Sequence, residues 1–132
     1  MSNRSDGNKF EQKFCEILFQ KGFWVHNLAQ NSAGQPADVI AVRNNHAYLI
    51  DCKVCKNNKF SLSRIEDNQH FAMNAWCDSG NGYGWFALLM NDRIYMISHF
   101  ALLLIRQEKR IATKDDVESF GMTLEEWLNH CL

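Results

Sequence analysis

Asp51 and Lys53 stand one residue apart in the run Leu49-Ile50-Asp51-Cys52-Lys53-Val54. The run is apolar and β-branched enough to be a strand. Period-two alternation puts the two charges on one face and Ile50, Cys52 and Val54 on the other. Asp38 opens the preceding apolar run, and Asn44-Asn45, which tolerate positive φ, join the two as a hairpin. Such a hairpin brings Asp38 near Asp51. Two close carboxylates raise each other's pKa unless a cation lies between them. An Asp-Asp-Lys cluster suits Mg²⁺-assisted phosphate chemistry. The bland alternative is an exposed cross-strand ion pair, worth little.

Two more polar residues interrupt apolar stripes. On the first helix, Phe10, Phe14, Cys15, Ile17 and Leu18 span an arc of roughly 160°. Glu11 falls inside that arc, where a carboxylate is costly unless paired, protonated or bound to a metal. On a later helix, Gln69 lies in the middle of the stripe Ile65, Ala72, Met73, Trp76. Taken alone, each reads as an edge carboxylate or a satisfied core amide. Together, four segments supply a polar group where the fold calls for an apolar one.

The elements that position these groups follow from periodicity and punctuation. Asn8 to Gln20 predicts a helix stopped by Gly22. Phe23 to Leu28, Asp38 to Val42 and Ala47 to Val54 predict three strands, with a polar segment from Ala29 to Gln35 after the first. A basic loop follows at Lys56 to Lys59. Ser63-x-x-Glu66 reads as a capping box opening a helix to Trp76. Asp78 to Gly84 is a Gly-rich loop. Trp85 to Met90 and Arg93 to Ser98 predict a hairpin turning at Asn91-Asp92, and Phe100 to Ile105 a short helix. Thr113 and Thr123 read as N-caps of two C-terminal helices, with Gly121 ending the first. The expected order is α-β-β-β-α-β-β-α, an α/β chain with a mixed central sheet flanked by helices.

Composition bounds the rest. The chain has 132 residues, 46% hydrophobic and 22% charged, and a formal net charge of −1. That suits one domain over residues 1–132 and excludes a disordered or low-complexity chain. Near-neutrality offers no whole-domain basic footprint for nucleic acid, so such binding rests on local charge. If Glu11, Asp38 and Asp51 belong to a metal site, the rest balance as 14 basic to 12 acidic. The N-terminus lacks an apolar targeting core, no run is long enough to span a bilayer, and five cysteines suggest no disulfide framework, so a reducing cytoplasm is expected. Cys52-x-x-Cys55 lacks the second pair a zinc site needs. The five histidines show no ligand spacing. Trp24, Tyr83 and Trp85 are expected to pack in the core rather than to stack bases.

The residues resemble the PD-(D/E)XK nuclease superfamily, through Pro36-Ala37-Asp38 followed by Asp51-Cys52-Lys53. The predicted order matches that superfamily's restriction-endonuclease-like core. The segment Gly7-Asn8-Lys9-Phe10-Glu11 looks like the opening of archaeal and RecU-type Holliday junction resolvases, and Leu62 to Gln69 is similar to the RecU-type segment that carries a functional Gln. Asp51 stands where many relatives carry Glu, which shortens the reach by one methylene. The resemblance implies a Mg²⁺-dependent endonuclease (Mn²⁺ as a possible substitute) acting on branched or duplex DNA. It implies a catalytic set of Glu11, Asp38, Asp51, Lys53 and Gln69. The metal ligands would be Asp38, Asp51, the Cys52 backbone carbonyl and Glu11. Lys53 would orient the attacking water or meet the developing charge.

Lys9, Lys13, Lys56, Lys59 and Arg64, with Arg4, are candidate phosphate contacts. Symmetric cutting of a two-fold junction implies a homodimer, in a bacterial cell or a phage-infected host, with no membrane partner. Two alternatives remain on the same fold. One is a repair, restriction or flap nuclease; the other is a DNA- or protein-binding module that does not cut.

Overall fold

The computed structural model describes residues 3–28 and 37–131. The polar segment from Ala29 to Gln35 and Pro36 of the motif lie outside the described residues, as does the Arg4 side chain. Helix α1 (Asn3–Gln20) leads through a turn at Gly22 into β1 (Trp24–Asn27). Strands β2 (Val39–Arg43) and β3 (His46–Cys55) follow as an antiparallel hairpin. Asn44 and Asn45 both take positive φ at its turn, 53° and 66°, which matches the twist of a tight hairpin. Asn91 and Asp92 do the same between β5 (Trp85–Met90) and β6 (Arg93–Ser98).

The main sheet has six strands in the order β1-β2-β3-β5-β6-β8, with β8 at Met122–Thr123. It is mixed, because β3 pairs parallel with β5 while the other neighbours are antiparallel. The parallel step needs a crossover, supplied by α2 (Asp67–Trp76). Both faces of the middle strands are buried. One face packs Leu49, Cys55, Phe86 and Leu88 under α2, α3 (His99–Arg106) and α4 (Lys114–Phe120). The other packs Ile50, Cys52, Ala87 and Met96 under α1 and α5 (Leu124–His130). This is the mixed sheet between helices that the sequence predicts.

Several details differ from that expectation. Helix α1 begins at Asn3, five residues before the predicted start at Asn8. Strands β4 (Lys59–Ser61) and β7 (Ile111–Thr113) form a separate two-stranded antiparallel pair. These strands and β8 are two or three residues long, too short to carry a periodic signal, and exist because a distant segment pairs with them. The capping box of α2 is shifted. Ser63 lies in a 3₁₀ turn, Leu62–Arg64, and shares a hydrogen bond with the Ser61 hydroxyl. The cap is Glu66, whose N–H donates to Gln69 Oε1 at 3.3 Å. Thr113 and Thr123 are N-caps as expected, each in a capping box, with Asp116 and Glu126 respectively.

Helix α2 seats on the sheet through Met73, which is fully buried against Gly84. A Cβ on Gly84 would lie 2.5 Å from Met73 Cγ and 2.9 Å from its Cβ. These atoms sit near the Met73 backbone, so relief requires α2 itself to move. Gly84→Ala should therefore destabilise the protein by about 1–3 kcal/mol. Urea unfolding midpoints of the two proteins check this.

Candidate active site

The β2–β3 register pairs Val39 with Ile50, which places Asp38 opposite Asp51 on one face of the sheet. The ladder ends there, with the Asp38 N–H donating to the Ile50 carbonyl at 3.2 Å. One residue further the backbone partner is replaced by a side chain, as the Cys52 N–H donates to Asp38 Oδ2 at 2.8 Å. Within a strand a residue's N–H and C=O point to the same side. The Cys52 carbonyl therefore faces the edge where Asp38 sits, on the side expected of a metal ligand.

Asp51 is 1% exposed. Gln69 Nε2 donates to its Oδ1 at 3.1 Å, and Lys53 Nζ lies 3.0 Å from its Oδ2. The Lys53 ammonium is the cation that meets this buried oxygen. Burial first, then the neighbouring Asp38 charge, push the Asp51 carboxyl well above its usual range, against the opposing effect of Lys53. Gln69 thus does two things. Its Oε1 closes the start of α2, and its Nε2 reaches Asp51, tying the helix to the acid.

Glu11 is 6% exposed. Its carboxyl is raised to about 7, chiefly by burial and then by the Asp38 charge, with Lys53 pulling the other way. Among the described residues no three His, Cys, Asp or Glu side chains converge as a ready-made metal cage. The Asp38–Asp51 pair does fit a hard divalent cation. It has a buried carboxylate whose charge only partly meets a single lysine, two acids in contact, a backbone carbonyl on the same edge and more negative than positive charge. Mg²⁺ is usually held by one or two carboxylates and waters rather than by an all-protein cage.

The candidate phosphate contacts separate. Lys9 and Lys13 sit about 160° around α1 from Glu11. With Phe10, Ile17, Val54 and Ile94 they line a cavity of about 690 Å³ on the other face of the sheet. The structure does not bring these two lysines to the acidic pair. Lys56 and Lys59 are exposed beyond the end of β3. Arg64 is fastened, donating to the Val54 carbonyl at 2.9 Å with its guanidinium 5.6 Å from the Phe60 ring centre.

Cys52 and Cys55 face opposite sides of β3, so the C-x-x-C cannot clamp one ion. Burial also pushes both thiols up, Cys55 to about 11. His99 is buried with its pKa lowered to about 4, mainly by burial, and shares a 3.0 Å contact with His70. The expectation that Trp24, Tyr83 and Trp85 are core residues holds only for Trp85, which is half-buried against Trp127. Tyr83 is 49% exposed and stacks on Phe100, and Trp24 is 62% exposed and stacks on His26.

A mixed sheet between helices, with an acidic pair and a lysine where two central strands meet, defines a nuclease of the restriction-endonuclease-like class. The family profile described as archaeal Holliday junction resolvase (hjc) matches residues 2–131, and the chain belongs to that family. It is a nuclease that hydrolyses DNA, a Holliday junction resolvase of DNA recombination. The solved structure of Archaeoglobus fulgidus Hjc, a Holliday junction resolvase from an archaeal hyperthermophile, superposes with a TM-score of 0.71 at 15% identity. The match covers 94% of this chain and 96% of that one. No curated protein sequence matches. The family is archaeal, so the bacterial or phage setting expected from the sequence has no support in it. Among the described residues no helix is long and apolar enough to cross a membrane.

The excess of carboxylates has a measurable sign. Glu11 holds its proton to about pH 7 in the folded chain against 4.5 unfolded. The folded state binds more protons between these values, so stability falls as pH rises through that window, by at most about 3 kcal/mol. Glu11→Gln should therefore raise the melting temperature in EDTA at pH 8, and the gain should vanish below pH 4.5. Thermal denaturation across pH checks this.

Proposed function

We propose that Asp38, Asp51 and Lys53 form the cleavage centre of this resolvase, with Mg²⁺ as its metal and a homodimer as its working form. The observation that carries the assignment is the Asp51 carboxylate, almost fully buried beside Asp38, with the Lys53 ammonium 3.0 Å from one oxygen and Gln69 on the other. A retired site would have no reason to keep two such acids, because buried charge without full compensation destabilises a fold.

Asp38, Asp51 and the Cys52 carbonyl are the groups suited to hold the ion. When bound, Mg²⁺ supplies charge neutralisation at the phosphate and a more acidic water. Lys53, 13% exposed at its side chain, presents a compact cation at the mouth of the site and meets charge that develops on the phosphate. Gln69 fixes the Asp51 carboxylate through Oδ1, which leaves Oδ2 directed toward Lys53 and the ion. Glu11 is proposed to contribute from α1, through a water or directly. Lys56 and Lys59 are proposed as phosphate contacts beyond β3; Lys9 and Lys13, on the opposite face, could touch only more distant DNA.

The homodimer follows from the substrate, since two symmetric cuts need two cleavage centres related by a two-fold axis. The exposed side chains of Phe71, Tyr83 and Phe100 add apolar surface suited to self-association. Gel filtration at micromolar concentration should give twice the chain mass, and a monomer would count against this form.

Cleavage of a labelled synthetic four-way junction tests the assignment. Asp51→Asn and Lys53→Ala should each lower the rate at least about a hundredfold. Both should stay folded and bind the junction. Gln69→Ala should cost less, because it removes a support rather than a reacting group. Full activity in Asp51→Asn would overturn the assignment.

A further inference from the structure

The sheet face that carries Asp38, Asp51 and Lys53 does not end at β3. Register continues it across β2 through Ile40 and Val42 to His26 and Trp24 of β1. Cover thins along this path. Leu49 is 4% exposed, Ile40 and Val42 are half-buried, and Trp24 is 62% exposed. The helices over this face lie on the far side of Asp51, so among the described residues β1 and β2 form an uncovered apolar shelf beside the acidic pair. On it the Trp24 and His26 rings stack, with centroids 6.1 Å apart and planes 16° from parallel. His26 is offset from Asp38 by one strand, about 5 Å, and by two residues, about 7 Å.

We propose that Trp24, supported by His26, is a stacking platform for a nucleobase at the branch point of the DNA substrate. This rests on the assignment of the cleavage centre to Asp38, Asp51 and Lys53. The chemistry of the shelf selects the ligand. It offers aromatic and aliphatic surface, so it suits the flat face of a base more than a phosphate. Intact duplex hides those faces by stacking within itself. Base pairs bordering a branch lose a neighbour on one side when the arms part, and an indole can cover the face so exposed. Base–aromatic stacking tolerates any sequence, because every base has a π-face. The platform would then favour branched over linear DNA without reading sequence, and it would hold the branch about 14 Å from Asp38, one strand across and four residues along.

The test uses the full chain and a four-way junction carrying 2-aminopurine beside the branch, in EDTA so that nothing is cut. Wild-type binding should quench the probe. Trp24→Ala should abolish the quench and weaken junction affinity about tenfold relative to linear duplex, and Trp24→Phe should restore part of both. Trp24→Ala with an unchanged quench and affinity ratio overturns the proposal. So does a Trp24→Ala protein that elutes as a smaller species than wild type, which would assign the shelf to a second copy of the chain. Asp51→Asn that still cuts in Mg²⁺ overturns the cleavage-centre assignment and the platform's role with it. An inactive Asp51→Asn beside an unaffected Trp24→Ala overturns the platform alone.

Discussion

The Asp51 carboxylate is buried in the middle of a sheet, and much of the surrounding architecture compensates for that. An isolated carboxylate in an apolar interior costs several kcal/mol or surrenders its charge. Here Lys53 projects from the same face of the same strand, because two residues are one period of a strand. Gln69 arrives from α2 and bonds one oxygen. The position of α2 depends in turn on the close contact of Met73 with Gly84 at the start of β5. The parallel β3–β5 pairing makes that crossover helix necessary. The site and the fold are therefore built from the same contacts.

Compensation is incomplete. One lysine faces two close acids, Asp51 and Asp38, and Glu11 stays protonated to about pH 7. A candidate metal site accommodates such frustration because the compensating positive charge would arrive with the ion. A net charge of −1 is consistent with a DNA enzyme for the same reason. Part of the acidic content sits at the candidate metal site, where a bound cation would offset it.

The sheet also separates tasks by face. On the face of Asp51, cover by α2 and α3 stops near β3 and, among the described residues, leaves β1 and β2 open. On the other face α1 and α5 complete a second core around Trp127, Phe23 and Tyr48. Arg43 clamps this side by donating to the Lys21 carbonyl at 2.8 Å and the Leu128 carbonyl at 3.0 Å. The clamp secures both ends of the chain to the hairpin that carries Asp38.

Local rules made the hairpin, the long helices, the threonine caps and the Asp51–Lys53 face legible, because each depends on residues a few positions apart. Glu11 and Gln69 were legible as polar breaks in apolar stripes, and resemblance to a known family gave them a shared destination. Other features depend on contacts between distant segments. The cap of α2 moved from Ser63 to Glu66 because Gln69 serves both the helix start and Asp51. Strands β4, β7 and β8 exist only through their partners. Lys9 and Lys13 looked close to Glu11 in the chain but point away from it, because a helix turns by about 100° per residue. Sequence alone determined which residue types share a strand face or a helix stripe, since those are fixed by the local period. Only the tertiary structure decided which faces are covered, and so which acids are buried and which aromatics are left open, because burial is set by what packs on top.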